Sequence, residues 1–143
     1  MKILIMGLPG SGKTWFAQRL SGYLNAAWFN ADAVRKMCND WDFSETGRIR
    51  QSERMFHYAT FESVRGRTVV SDFVCPTRKT RSVFDADLVI WMDTVNKSRY
   101  EDTNKIFEPL STDESPKIII KDHKRDHEIK QIADMIKRDN NIV

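Results

Sequence analysis

The chain has 143 residues, 41% of them hydrophobic and 30% charged, enough to bury a core without help from disulfides or metal. Its 23 basic and 20 acidic residues leave a formal charge of +3, too slight for the basic track of a nucleic-acid binder, and no apolar run approaches membrane-spanning length. Only Cys38 and Cys75 are present, which suits reduced thiols rather than a disulfide scaffold, and with no leader pattern in the first residues a cytoplasmic location is expected.

The first apolar run, Lys2 to Met6, reads as a buried strand. It leads directly into Gly7-Leu8-Pro9-Gly10-Ser11-Gly12-Lys13-Thr14, a complete phosphate-binding loop (P-loop) lying between a strand and a helical pattern. In such a loop the glycines let successive N–H groups turn inward toward phosphate oxygens, and the following helix adds its positive end. Gly7, Pro9, Gly10, Ser11, Gly12 and Lys13 are therefore expected to hold a nucleoside triphosphate, with Lys13 on the β- and γ-phosphates and the Thr14 hydroxyl on Mg²⁺. A helix follows from Lys13 to Tyr23, with Phe16, Ala17, Leu20 and Leu24 on its buried face.

Further strands are expected at Ala26 to Phe29, Thr68 to Ser71, Leu88 to Met92 and Ile118 to Ile120. Helices are expected from Arg48 to Arg65, burying Ile49, Met55, Phe56, Ala59 and Val64, and from His127 to Arg138, burying Ile129, Ile132, Ala133 and Ile136. Glu101 to Pro116, rich in Asp, Thr, Asn and Ser with two prolines, reads as a mobile flap. The alternation of strand and helix predicts a three-layer α/β P-loop NTPase fold: a mainly parallel five-stranded sheet with helices on both faces, in one domain over 1–143 with a short lid at about 99–116.

Ligands of open parallel sheets bind beyond the carboxyl ends of the strands, so the polar residues that follow each strand are the site candidates. After the second strand comes Asn30-Ala31-Asp32-Ala33-Val34-Arg35, with Asp32 and Arg35 on one face if a helix starts there. After the third come Ser71-Asp72-Phe73, then Arg78 and Arg81; after the fourth, Asp93-Thr94; after the fifth, Lys121-Asp122-His123.

The loop Gly-Leu-x-Gly-x-Gly-Lys-Thr, then Asn30 to Arg35, then Phe43-Ser44 followed by Arg48, resembles the adenylylsulfate kinase (APS kinase) family over roughly the first two thirds of the chain. The resemblance implies transfer of the γ-phosphate of ATP to the 3′-hydroxyl of adenylylsulfate. It also implies site roles. Asp32 would orient the acceptor hydroxyl or receive its proton, Arg35 and Arg48 would hold the phosphosulfate, Phe43 would stack on the adenine and Ser71 would sit near the transferred phosphoryl group. Three departures stand out: Asn30 replaces the first Asp of the usual Asp-Gly-Asp, Ser71-Asp72-Phe73 replaces Ser-Pro-aromatic, and the lid is shorter. Asp72 ends the run Val69-Val70-Ser71-Asp72 as a Walker B carboxylate does, and is a candidate to make the Mg²⁺ contact that Asn30 has lost. In the lid, Phe107 is a candidate second stacking aromatic.

Independently of the family, phosphoryl transfer needs a phosphate cradle, a lysine, Mg²⁺, further cations and an acceptor-facing carboxylate. The cations on offer are Arg35, Arg48, Arg78, Arg81 and Arg99, Arg99 on the nucleotide side and the others toward the acceptor. Competing readings remain: Asp32 as a helix cap, Asp72 as a turn cap, Phe43 as a core anchor and Arg78 and Arg81 as ordinary surface charges. The His123 loop is expected near the adenine of ATP rather than at a metal. The expected partner is a small anionic acceptor, adenylylsulfate or another nucleotide-like molecule. A nucleoside, nucleotide or nucleic-acid 5′-hydroxyl is the alternative, and an ATPase or nucleotide switch a further one; the oligomeric state is open, a homodimer included.

Overall fold

A computed structural model describes residues 1–114 and 116–143. The strands are β1 (Lys2–Met6), β2 (Ala27–Asn30), β3 (Val69–Asp72), β4 (Leu88–Met92) and β5 (Lys117–Ile120). The helices are α1 (Lys13–Leu24), α2 (Ala31–Cys38), α3 (Glu45–Ser63), α4 (Arg78–Phe84), α5 (Glu101–Ile106) and α6 (Asp126–Asp139). All strand pairs are parallel, in the order β2-β3-β1-β4-β5. The expected three-layer α/β architecture is therefore the one found.

The two-residue period of β1 divides the core. Ile3 and Ile5 face one way and pack with Phe16, Leu20 and Leu24 of α1 and Ile129, Ala133 and Ile136 of α6. Leu4 and Met6 face the other way and pack with Val34 of α2, Met55 and Ala59 of α3 and Phe84 of α4. Covered on both faces, β1 reads as an unbroken apolar run rather than an alternation, which is why its sequence is so distinctive.

Several expectations need correcting. The long helix starts at Glu45, capped by the Ser44 side chain, and ends at Ser63, so Val64 is exposed beyond it. Its inward face also carries buried Arg48, Gln51 and Ser52 beside Met55 and Ala59, a polar stripe that a purely apolar search passes over. The segment expected as an irregular flap begins with α5, whose Thr103 is buried, and continues into a turn tied down by α4.

That tie redirects two arginines. Arg78 and Arg81 do share a face of α4, but Arg81 donates through Nε to Glu114 at 2.7 Å, through Nη2 to the other Glu114 oxygen at 3.2 Å and through Nη1 to the Cys75 carbonyl at 3.2 Å. Arg78 pairs with Asp113 and donates to the Ser111 hydroxyl. Both were expected to bind the acceptor; instead their forks are occupied by protein carboxylates, and neither lines the principal cleft. Among the described residues, no helix is long and apolar enough to cross a membrane.

The two pairs differ in burial, side-chain exposure being 3% and 15% for Arg81 and Glu114 against 55% and 61% for Arg78 and Asp113. Glu114→Ala, which strands a buried guanidinium, is expected to cost about 3 kcal/mol or more in denaturant unfolding. Arg78→Ala should cost less than about 1 kcal/mol in the same measurement.

Candidate active site

Parallel register brings the strand ends to one edge, and the loop after β1 turns over that edge with Gly7, Gly10 and Gly12 at φ of 152°, 84° and 93°. At Gly7 the need is also steric: a Cβ there would lie 2.7 Å from the Met92 carbonyl oxygen and 2.9 Å from Ser11 Oγ. Thr94, just past β4, donates to the Ser11 carbonyl at 2.7 Å and fixes the loop from the neighbouring strand. Lys13 donates to the Leu8 carbonyl at 2.9 Å. Burial lowers its ammonium to about 8, against the opposing pull of Asp72 and Asp32.

Thr14, the second residue of α1, donates to Asp72 Oδ2 at 3.0 Å. Asn30 Nδ2 donates to the same oxygen at 3.1 Å, and the Trp28 indole N–H donates to Oδ1 at 2.7 Å. Burial pushes the Asp72 carboxyl up, opposed by the hydrogen bonds from Trp28, Thr14 and Asn30, which favour the anion. One carboxylate and one hydroxyl at the mouth of a phosphate loop form a hard-oxygen donor set that suits Mg²⁺, whose remaining positions are normally filled by nucleotide oxygens and water.

Asn30 also caps α2, its Oδ1 accepting from the Ala33 amide at 3.0 Å. The capping role weighed for Asp32 thus falls to Asn30, and the Asp32 carboxylate stands exposed on the cleft wall in the first turn of α2. Arg35 follows Asp32 by one turn of α2, and the Arg35 and Arg48 guanidinium carbons lie 4.3 Å and 5.5 Å from the centroid of the Phe43 ring. Phe43 is 47% exposed, so it is no core anchor. Arg35 is buried yet donates only to the Asp40 and Asp42 carbonyls; Arg48 donates to the Phe43 carbonyl, Thr103 Oγ1 and Asp102. Desolvation lowers both guanidiniums; at Arg35 the Asp40 carboxylate opposes it and Arg48 adds to it.

These residues line one cavity of about 1100 Å³, which takes in Gly10, Gly12, Lys13 and Thr14 together with Asp72, Asp32, Arg35, Phe43 and Arg48. Arg99 lines it too, its guanidinium 5.1 Å from the Tyr100 ring centroid. Besides Arg78 and Arg81, Ser71 and Phe107 lie outside the cavity. Ser71 is fully buried within β3, on the same face as Val69 under α3, so the strand's alternation presents Asp72 to the cleft and hides Ser71. Phe107 packs against Trp91 and lines not this cleft but an adjoining cavity of about 550 Å³ that shares Phe43, Arg48 and Asp102 with it. Cleft residues not singled out from the sequence include Trp15, Gln51, Ser52, Tyr100 and Thr103. The His123 loop does approach the phosphate loop: its ring is 5.8 Å from that of Trp15 and would be 3.6 Å from a Cβ at Gly12.

The family model for adenylylsulphate kinase matches residues 1–93, from β1 through the end of β4. The chain belongs to the adenylylsulfate kinase family. It is a nucleotide-binding P-loop kinase, a phosphotransferase by family. No curated protein matches the chain. Among solved structures, it resembles the Mycobacterium tuberculosis APS kinase in complex with AMPPNP and APS, with a TM-score of 0.72 at 19% identity over 95% of this chain and 96% of that one. It also resembles a sugar kinase from Janibacter sp. (TM-score 0.73, 15% identity, 99% and 95% covered) and a gluconokinase from Sinorhizobium meliloti (TM-score 0.67, 14% identity, 92% and 88% covered). At these identities the likenesses establish the fold. The family match stops short of α5, so the segment over the cleft lies outside it.

Two measurements probe the cleft. Because free Lys13 titrates near 8 and a bound phosphate favours the ammonium, nucleotide binding at pH 8.5 is expected to take up a proton that is already in place at pH 6.5; calorimetry in buffers of differing ionisation heat reads the difference. At Gly47 a Cβ would lie 2.2 Å from the Asp42 carbonyl oxygen, so Gly47→Ala should push out the 39–44 loop and weaken acceptor binding about tenfold or more, with nucleotide affinity unchanged in the same titrations.

Proposed function

We propose that this chain is an ATP- and Mg²⁺-dependent kinase that phosphorylates a hydroxyl of a small anionic acceptor, best read as the 3′-hydroxyl of adenylylsulfate, within a single domain over 1–143. The observation that carries this reading is that one cleft is lined by a phosphate loop, by the exposed carboxylate of Asp32, and by two buried arginines that stand against an exposed aromatic ring.

Arg35 supports an anionic acceptor most directly. This buried guanidinium hydrogen-bonds carbonyl oxygens and feels the Asp40 and Asp32 carboxylates only through space, so a phosphate or sulfate group can still meet it through paired hydrogen bonds. The Phe43 ring offers a face for a base beside that anion. The family match supports adenylylsulfate, and the lid lying outside the match leaves room for a second reading, another small hydroxyl acceptor.

In this reading the loop amides and Lys13 hold the β- and γ-phosphates of ATP, and Arg99 serves the nucleotide side. Thr14 and Asp72 hold Mg²⁺, which when bound neutralises phosphate charge. Arg35, Arg48 and Phe43 fix the acceptor so that its hydroxyl faces the γ-phosphorus. The hydroxyl oxygen forms the new P–O bond, its proton passes to a carboxylate oxygen of Asp32, and the bond from the γ-phosphorus to the bridging oxygen breaks to release ADP.

The test offers labelled ATP·Mg²⁺ and purified protein adenylylsulfate beside sugars, nucleosides, nucleotides and 5′-hydroxyl oligonucleotides, with products identified by mass. Transfer to adenylylsulfate is expected, with Asp32→Asn lowering kcat about 100-fold at little change in ATP KM, and Arg35→Ala chiefly raising acceptor KM. Transfer only to another hydroxyl would replace the named acceptor, and ATP hydrolysis with no phosphorylated product would overturn the kinase reading.

A further inference from the structure

Asp72 is met by three donors from two different directions. Thr14 and Asn30 both address Oδ2, on the cleft side, whereas Oδ1 is taken by the indole N–H of Trp28, a residue that does not line the cleft. The register explains the arrangement. Ala27–Asn30 pairs with Val69–Asp72 so that Trp28 stands opposite Val70 and Asn30 opposite Asp72. Residues two apart share a face of a strand, so Trp28, Asn30, Val70 and Asp72 all point toward the α1 side, where Thr14 waits.

The consequence is geometric. A carboxylate anchored through one oxygen cannot rotate freely, and the other oxygen is left facing the hydroxyl that would share its cation. Trp28 lies on the edge strand and is 36% exposed, so its indole is not fixed there by core packing alone. Its shortest polar contact, at 2.7 Å, is the one to Asp72.

We infer that Trp28 is a positioning residue for divalent-cation binding, its indole N–H locking Asp72 Oδ1 so that Oδ2 and the Thr14 hydroxyl present one oriented oxygen pair to the cation of a bound nucleoside triphosphate. This rests on the reading of Asp72 and Thr14 as the Mg²⁺ residues. Trp28 acts through Asp72 and touches neither substrate nor metal.

The test is calorimetric titration with the non-hydrolysable ATP analogue AMPPNP, in Mg²⁺ and separately in EDTA, so that the metal-dependent gain in affinity is measured apart from phosphate-loop binding. Asp72→Asn is expected to abolish that gain. Trp28→Phe, which keeps the ring and removes the donor, is expected to cut it about tenfold while leaving the EDTA affinity unchanged, as loss of an outer partner of a metal ligand typically does. In the Asp72→Asn background, Trp28→Phe is expected to change nothing further. Equal losses in Mg²⁺ and EDTA would mark a general structural role and overturn the inference. A full gain in Trp28→Phe beside a lost gain in Asp72→Asn would overturn it while sparing Asp72 as a metal residue. A full gain in Asp72→Asn would instead remove Asp72 from the metal site and the inference with it. Wild-type protein ¹⁵N-labelled at tryptophan gives a measurement free of folding effects: the Trp28 indole N–H resonance should shift when Mg²⁺ is added to the AMPPNP complex, and an unmoved resonance overturns the inference.

Discussion

Every group in the cleft depends on the register of a parallel sheet. Because β1 pairs with β3 and β4, and β3 with β2, the chain positions after Met6, Asn30, Asp72 and Met92 all emerge at one edge. A slip of one residue between β2 and β3 would turn Asp72 and Asn30 to different faces and separate the carboxylate from its donors. The hydrophobic layers enforce that register. Ile3, Ile5 and Val70 belong to the α1 and α6 side and Leu4, Met6 and Val69 to the α3 and α4 side, so a slip would disturb both cores at once.

On that frame the protein distributes its arginines in two ways. Arg81, Arg50 and Arg54 meet carboxylates and hold segments in place, Arg50 and Arg54 both closing on Asp40, which they keep well below the usual carboxylate range. Arg35 meets only carbonyls, one of them from the same Asp40 whose side chain is already taken by the other two. The Asp40 carboxylate is thus hydrogen-bonded to Arg50 and Arg54 and acts on Arg35 only through space.

The sequence was most legible where local chemistry is strict. The phosphate loop could be read residue by residue, since glycine positions, lysine and threonine each answer a specific need, and the strands were found to within about a residue because parallel strands buried on both faces are apolar throughout. Asp32, Arg35, Phe43 and Arg48 were singled out by their sequence and do line one cleft, but only the structure shows that Asn30 takes the cap and leaves Asp32 free. Arg78 and Arg81 could not be sorted from sequence, because their partners Asp113 and Glu114 are more than thirty positions away and lie in a segment that reads as loop. Ser71 and Asp72 were separable in principle: adjacent strand residues face opposite ways, so the two could not both enter one cleft. The same parity, applied to β2, would have brought Trp28 beside Asp72 had the pairing of β2 with β3 been in hand.

Arg48 joins the two sides of the cleft in a further sense. It leaves α3 to stand beside Phe43, yet its outer nitrogen reaches Thr103 and Asp102 of α5. Lifting α5 away from the cleft would strip that guanidinium of both partners and wet a group that is 9% exposed. The contacts that hold α5 at the mouth and those that keep the Arg48 guanidinium from water are therefore the same two, Thr103 and Asp102.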